Sequence, residues 1–231
     1  MIGVSKIISR NSEIKGSTRD FVYVTLKKEI IELKLKPNFK ISEQEIADKL
    51  NVSRTPVREA FLKLSQENLL RILPQKGTFI SEINLDLVEE GRFIRENIES
   101  AIVREACNTF GNDQLFQLET NITMQTLSLK NDSYHRLLEL DDQFHQILFE
   151  GCNKSRTWKM IREMNSHFDR LRMLRVSSNT DWKLIVSQHE EIFHCISIQD
   201  ADRAEKLIIE HLNLVNFEKE KLKRNYPTYF Q

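Results

Sequence analysis

Ser42-Glu43-Gln44-Glu45-Ile46-Ala47-Asp48-Lys49-Leu50-Asn51-Val52-Ser53-Arg54-Thr55-Pro56-Val57-Arg58-Glu59-Ala60 holds two helix starts in close succession. Ser42 with Glu45 three positions on is a capping box, the serine satisfying a free amide while the glutamate reaches back to the serine's own. Ile46, Ala47 and Leu50 then face one side of a short helix. Asn51 and Val52 turn the chain, and Ser53 stands where a second helix is capped. Pro56 falls in its first turn, where a missing amide costs nothing. Val57, Ala60, Phe61 and Leu64 follow at i, i+3, i+4 and i+7, so this helix packs one side on its predecessor and turns Arg54, Thr55 and Arg58 outward.

Upstream, residues 1–16 are polar without a sustained period and read as a loose tail. Ser17 or Thr18 can cap a helix whose apolar face is Phe21, Val24, Leu26, Ile30, Ile31 and Leu33. Lys36-Pro37-Asn38 stops it, because proline disfavours helical geometry in the residue before it. Downstream, Leu69-Leu70-Arg71-Ile72-Leu73 and Thr78-Phe79-Ile80-Ser81 are β-prone runs around Pro74-Gln75-Lys76-Gly77, a hairpin turn by composition. From Asn84 the period is helical, with six helices expected at about 84–109, 111–129, 132–151, 154–177, 180–198 and 200–223. Connections as short as Gly151-Cys152-Asn153 and Ser177-Ser178-Asn179-Thr180 imply antiparallel neighbours in a bundle. The expected fold is mostly α. It comprises a tail (1–16), a winged helix-turn-helix (17–82), an antiparallel six-helix bundle (83–224) and a frayed aromatic tail (225–231).

With only 6 Gly and 4 Pro in 231 residues, and 40% hydrophobic against 29% charged, the composition suits a helical globular chain. The 34 basic and 34 acidic residues cancel overall, yet residues 1–82 carry 15 Lys+Arg against 10 Asp+Glu and the remainder 19 against 24. A basic first part is a mild pointer to a nucleic-acid partner. Cys107, Cys152 and Cys195 are too few and scattered for a disulfide framework. Lys6 and Arg10 interrupt the start of the chain, and no apolar run approaches the ~20 residues that span a bilayer. A cytoplasmic protein without a membrane partner is expected.

A short helix, a tight turn and a second helix with outward basic side chains at its start is the helix-turn-helix plan, which presents the second helix to the DNA major groove. Arg54 and Arg58 lie on one face and can reach guanine edges or phosphates, and the hydroxyls of Ser53 and Thr55 suit either. Lys76 and Gly77 at the hairpin tip can approach the neighbouring groove. The alternative is an ordinary solvated charged face. The run Val52-Ser53-Arg54-Thr55-Pro56-Val57-Arg58-Glu59-Ala60, with Leu64, Glu67-Asn68-Leu69-Leu70 and the Pro74-to-Ile80 wing, closely resembles the winged helix-turn-helix of GntR-type bacterial regulators over about residues 18–82. Asn38 and Asn68 stand where that family usually has glycine.

Asp141 and His145 are four apart on one helix and project together, a spacing suited to two ligands of one metal. His189 and His211 lie on two later helices, which a bundle can bring alongside. Alternatively, each histidine is a separately satisfied or exposed polar residue. The layout resembles the FCD effector domain, the helical partner of GntR readers in the FadR subfamily, and six helices would resemble its VanR-like branch. Gln199 replaces a glycine often found there before Asp200. The resemblance implies that Asp141, His145, His189 and His211 hold a divalent metal, zinc or nickel most readily, which helps bind a small carboxylate effector. Arg95 matches a family arginine that lies beside the effector, although an Arg95–Glu99 surface pair is the competing reading. His135, His167 and His194 have no such placement and read as structural or exposed. Asp142 points elsewhere on its helix and reads as solvated.

The leading expectation is a ligand-responsive transcriptional repressor that binds a palindromic, double-stranded operator as a homodimer and is controlled by a small organic acid. A metal-dependent hydrolase using the Asp/His site is the alternative from another class. No nucleophile elbow, phosphate loop or zinc-protease motif supports it. A third reading is a nucleic-acid architectural protein without a ligand.

Overall fold

The computed structural model describes residues 16–176 and 181–231, the side chains of 215–218 excepted. The expected tail over 1–16 therefore lies, apart from Gly16, outside the described residues, as does the connection Ser177 to Thr180.

Helix α1 (Thr18–Ile31) starts at Ser17, whose hydroxyl accepts from the Asp20 amide while the Asp20 carboxylate accepts from the Ser17 amide. It buries Val22, Tyr23, Leu26 and Ile30, and Val24, expected inward, is 43% exposed. Tyr23 takes the inward place because its polar tip finds a partner there, the hydroxyl donating to Glu67 Oε1 at 2.6 Å.

The first part is completed by β1 (Lys40–Ile41), α2 (Glu43–Leu50), α3 (Arg54–Gln66), β2 (Leu70–Leu73) and β3 (Gly77–Ile80). The strands form an antiparallel sheet in the order β1-β3-β2, with Ile41 opposite Thr78 and Leu73 opposite Gly77. The sequence does not announce β1, since two residues carry no readable period. Ser42 and Glu45 make the expected capping box on α2. Ser53 sits at the cap of α3, but its hydroxyl makes no capping bond. Val57, Ala60, Phe61 and Leu64 are buried as the spacing predicts, against Leu26, Ile30, Ile46 and Leu50.

Asn38 and Asn68 have φ of 63° and 58°, and Gln199 has 62°. All three positions where the resembled family favours glycine are thus left-handed turns, a region that asparagine tolerates better than most residues. Asn38 adds bonds that glycine could not. Its Oδ1 accepts from Arg71 Nη2 at 2.6 Å and its Nδ2 donates to Glu82 Oε1 at 2.9 Å.

The second part comprises α4 (Leu85–Thr109), α5 (Asn112–Lys130), α6 (Tyr134–Gly151), α7 (Ser155–Met164), α8 (Ser166–Val176), α9 (Trp182–Ser197) and α10 (Ala201–Asn225). Among the described residues this is seven helices rather than six, because the run expected as one helix over 154–177 breaks at Asn165. The helix count therefore does not itself assign a VanR-like branch. Asn165 packs directly on the α4 backbone, where a β-carbon at Gly91 would stand 2.5 Å from Asn165 Oδ1. A core of Ile102, Val103, Phe144, Leu148, Ile192 and Ile208 lies between α4, α6, α9 and α10.

The last residues are docked rather than frayed. The Ile83 amide donates to Tyr229 O at 2.7 Å, the Gln231 amide returns to Ile83 O at 3.2 Å, and Asn38 Nδ2 reaches Thr228 O at 3.2 Å. Phe230 is buried with Ile83, Val88, Phe168, Leu171 and Leu222, so burial of aromatic surface holds the C-terminal segment on the connection between the two parts.

Helix α8 is buried from Ser166 to Arg175. His167 Nδ1 accepts from the Asn84 amide at 3.1 Å, and its Nε2 lies 3.1 Å from the carbonyl of Asn68, between α3 and β2. Arg170 donates to Ser81 O at 2.6 Å. Burial, and then the Arg170 charge, push the His167 imidazole down to about 4. Cys107, Cys152 and Cys195 are buried free thiols, and no described helix is long and apolar enough to cross a membrane.

Candidate DNA-reading surface and buried histidine site

Asn51 ends α2 in the left-handed region, and Val52 continues the turn with its amide on Ala47 O at 3.0 Å. This turn sets α3 against α2 through Val57 and Phe61, leaving Ser53, Arg54, Thr55 and Arg58 exposed at the N-terminal end of α3. The Arg54 side chain is 64% exposed and only loosely held by Glu43, 3.3 Å away. The uncapped Ser53 hydroxyl and the free amides of the first turn add donors at the positive end of the helix dipole. In the wing, Lys76 is exposed and Gly77 has φ of 113°, a conformation that side chains bearing a Cβ rarely adopt.

Asp141 and His145 on α6, His189 on α9 and His211 on α10 converge inside the second part. One ligand atom from each lies within 4.8 Å of the others, and all four residues are buried. Asp141 Oδ1 is 3.7 Å from His189 Nε2 and 3.9 Å from His211 Nε2, while Asp141 Oδ2 is 3.7 Å from His145 Nε2 and accepts a short bond from Arg172 Nη2. Burial would raise the Asp141 carboxyl, but the charges of Arg172 and then the histidines hold it well below the usual carboxylate range.

The outer bonds orient the rings. Asn121 Nδ2 donates to Leu140 O at 3.1 Å, so Asn121 Oδ1 accepts from Gln125 Nε2 at 2.7 Å. Gln125 Oε1 is thereby left to accept from His189 Nδ1 at 2.8 Å. His211 Nδ1 similarly meets Gln188 Oε1 at 3.2 Å. With both Nδ1 atoms protonated, the Nε2 lone pairs of His189 and His211 face each other across 3.3 Å with no proton between them. Burial pushes the His189 imidazole down to about 3 and that of His211 well below its ordinary range, so both rings are held neutral. His145 Nδ1 is 2.6 Å from Glu99 Oε2, away from an ideal hydrogen-bond angle, and its Nε2 has no hydrogen-bond partner. Three imidazole nitrogens and one carboxylate oxygen turned inward fit a borderline-soft divalent cation, with carboxylate and amide partners behind the rings.

Arg95, read as a possible surface pair with Glu99, is buried, and its Nε donates to Glu99 Oε1 at 2.6 Å. Burial would raise the Glu99 carboxyl, but Arg95 and then His145 hold it at about 2. Arg95 Nη2 has no hydrogen-bond partner, and its guanidinium lies over Phe168, 5.3 Å from the ring centre. A cavity of about 20 Å³ opens here, bordered by Arg95, Asp141, Arg172, Arg175 and His211.

Asp142 is not solvated as expected, since it accepts from Arg172 Nη1 at 2.6 Å and pairs with Arg162 at 3.1 Å. His135 and His194 are exposed, while His167 holds the junction. Sequence reasoning missed Arg172, Arg170, Gln125 and Gln188. Only the alternation of arginines with Phe168, Leu171 and Leu174 hinted at a charged helix that is nevertheless buried.

Residues 18–80 match the model described as bacterial regulatory proteins, gntR family, and residues 92–214 match the FCD domain. The HTH-type transcriptional repressor RspR of Escherichia coli (strain K12) is 31% identical over 209 residues, 90% of this chain and 92% of that protein. The Nta operon transcriptional regulator of Aminobacter aminovorans is 30% identical over 170 residues, 74% and 77% of the two chains. Among solved structures, E. coli McbR/YncC superposes with a TM-score of 0.76 at 18% identity, over 92% of this chain and all of that one. A GntR regulator from Rhodococcus sp. RHA1 gives 0.70 at 20% identity over 91% of this chain and all of that one. The chain belongs to the GntR family of bacterial regulators, with an FCD domain behind its DNA-binding helices, and is a DNA-binding transcriptional regulator rather than an enzyme.

Proposed function

We propose that the chain is an effector-controlled repressor in which residues 17–82 read a palindromic operator and residues 83–224 sense a small carboxylate and hold the homodimer together. Ser53, Arg54, Thr55 and Arg58 enter the major groove, and Lys76 and Gly77 contact the neighbouring groove. Asp141, His145, His189 and His211 hold a divalent metal, zinc or nickel most readily. When bound, the metal supplies positive charge at the carboxylate-binding site. Arg95, with Arg172 and Arg175 beside it, orients the acid. A cytoplasmic location suits this work.

One observation carries the reading: α8 faces both sites. Arg172 and Arg175 border the small cavity, while His167 and Arg170 bond to Asn68 and Ser81 of the reader. The cavity of about 20 Å³ has room for about one water. An organic acid therefore enters only if α8 or its side chains move, and that movement changes how the reader is held. The chain represses, as the name of the E. coli relative RspR says of that protein, and the effector releases DNA.

Operator-bound protein titrated with sugar acids, dicarboxylates and aromatic acids tests this by fluorescence anisotropy. At least one acid class should release DNA, and Arg95→Ala should abolish that release while leaving operator affinity unchanged. Affinity indifferent to every class, with no thermal stabilisation by any, would favour a ligand-free architectural protein instead.

A further inference from the structure

Beyond α10 the chain turns at Tyr226 and passes through a short 3-10 turn, Pro227–Tyr229, to Gln231. This segment crosses the link between the two parts. Phe230 makes a parallel β-bridge with Ile83, whose amide donates to Tyr229 O at 2.7 Å and whose carbonyl accepts from the Gln231 amide at 3.2 Å. Asn84 Nδ2 donates to Gln231 Oε1 at 2.9 Å. On the reader, Asn38 Nδ2 donates to Thr228 O at 3.2 Å. The Phe230 ring is buried in one cluster with Ile83, Phe168, Leu171 and Leu222, the last of these on α10 itself. Burial of that ring supplies the holding force. The Asn38 bonds lie at the surface and compete with water, so they set where the segment meets the reader rather than how tightly it is held.

Asn38 passes this contact to the wing. Its Oδ1 accepts from Arg71 Nη2 at 2.6 Å, its Nδ2 also donates to Glu82 Oε1 at 2.9 Å, and Arg71 Nη1 closes the ring on Glu82 Oε2 at 3.3 Å. Arg71 stands on β2 opposite Phe79 of β3, and the Asn38 amide donates to Ile80 O at 2.9 Å. One residue therefore touches both wing strands, the link at Glu82 and the segment after α10. A glycine at position 38, the residue usual there in the family, would keep the left-handed turn and lose every side-chain bond. The turn alone does not account for asparagine.

We propose that Asn38 is a positioning residue for the wing, acting through residues 226–231, so that the end of α10 as well as the reader's own core holds the wing for DNA. The contact is separate from the bonds that His167 and Arg170 of α8 make to Asn68 and Ser81. It gives the helical part a second hold on the reader, at the strands rather than at the turn after α3. The consequence for DNA rests on the proposed contact of Lys76 and Gly77 with the neighbouring groove; the hold on the strands does not.

Hydrogen–deuterium exchange of the full chain tests the hold, and fluorescence anisotropy on a labelled duplex of random sequence at low salt, where a phosphate contact registers without a known operator, tests its consequence. In Asn38→Gly and in Phe230→Ala the amides of Gly77–Ile80 should exchange about 5–10-fold faster, the factor carried by one lost bond of ordinary strength, with α2 and α5 unchanged. Each variant should bind the duplex several-fold more weakly. In the double variant both effects should fall well short of the product of the single ones, because the two residues act through one contact. Effects that multiply would assign Asn38 to the reader alone and overturn the proposal. Should Phe230→Ala fail to fold, Asn38→Gly still decides, being an exposed site whose backbone suits glycine; wing exchange equal to wild type in that variant overturns the proposal. Faster wing exchange with duplex affinity unchanged in both Asn38→Gly and Lys76→Ala would keep the hold and remove the wing from DNA, which contradicts the groove contact instead.

Discussion

His167 Nε2 donates to the carbonyl oxygen of Asn68 across 3.1 Å, joining α8 to the turn between the recognition helix and the wing. The direction follows from the other ring nitrogen, since Nδ1 accepts a backbone amide from Asn84 and cannot itself carry the proton. One neutral imidazole thus bonds two backbone groups from opposite sides of the domain junction, both bonds partly buried.

Replacing His167 by alanine should cost about 1–3 kcal/mol, because it removes both hydrogen bonds. Urea denaturation measures this, and a loss below about 0.5 kcal/mol would show that water replaces the ring without penalty.

Acid should loosen the same junction. The folded-state imidazole titrates near 4 and the free one near 6.5, so below 6.5 the unfolded chain binds the extra proton first. Its contribution is fully present above pH 6.5 and is lost as pH falls towards 4. Arg170 opposes protonation from the same helix, while Glu67, Glu90 and Glu163 line the recess beside it. Stability measured from pH 7 to pH 4 should fall less steeply in His167→Ala than in wild type. Parallel profiles would assign the acid sensitivity to other groups.

Arg172 binds Asp141, Asp142 and Asp169 together. Arg172→Met removes a cation shared by these three carboxylates and should cost about 3–5 kcal/mol. Arg172→Lys should recover only part of this, since an ammonium cannot reproduce the planar fork. Full recovery in guanidinium unfolding would argue that charge alone matters there.

For the metal, Gln125→Leu should weaken zinc or nickel binding about 10–100-fold by removing the acceptor behind His189, without touching a ligand. Competition against a chromophoric chelator reads this directly. Elemental analysis should find metal in wild type and little in His189→Ala. Wild type that takes up neither zinc nor nickel contradicts the assignment.

On DNA, Arg58→Ala should cost about 1–3 kcal/mol and relax preference at one base pair of each half-site. Lys76→Ala should instead weaken all sequences alike and flatten the salt dependence. Unchanged operator preference in Arg58→Ala would remove that residue from the reader.

The reader was legible because its rules are local. The Ser42–Glu45 box, Pro56 in a first turn and the Val57-to-Leu64 spacing each act within a few residues and led to α2 and α3 as found. Misreadings fell where distant partners decide. Val24 faces outward because Tyr23 has Glu67 to bond, and Asp142 is held because two arginines reach it from other helices. At the break, Asn165 packs on Gly91, far away in sequence, where any side chain would collide with it.

By itself the sequence determined the helix-turn-helix, the hairpin and the pairing of Asp141 with His145 on one helix face, because capping, periodicity and i, i+4 spacing are properties of neighbouring residues; His189 and His211 were singled out only by the resemblance to the FCD domain. Tertiary structure alone decided that Asp141, His145, His189 and His211 converge, that Gln125 and Gln188 set their tautomers, and that the C-terminal aromatics clamp the connection between the domains. It also made α8 the joint between the helical part and the reader. Burying arginines and a histidine is tolerable only where carboxylates and carbonyls from several other elements arrive to satisfy them, and no local pattern records that arrival.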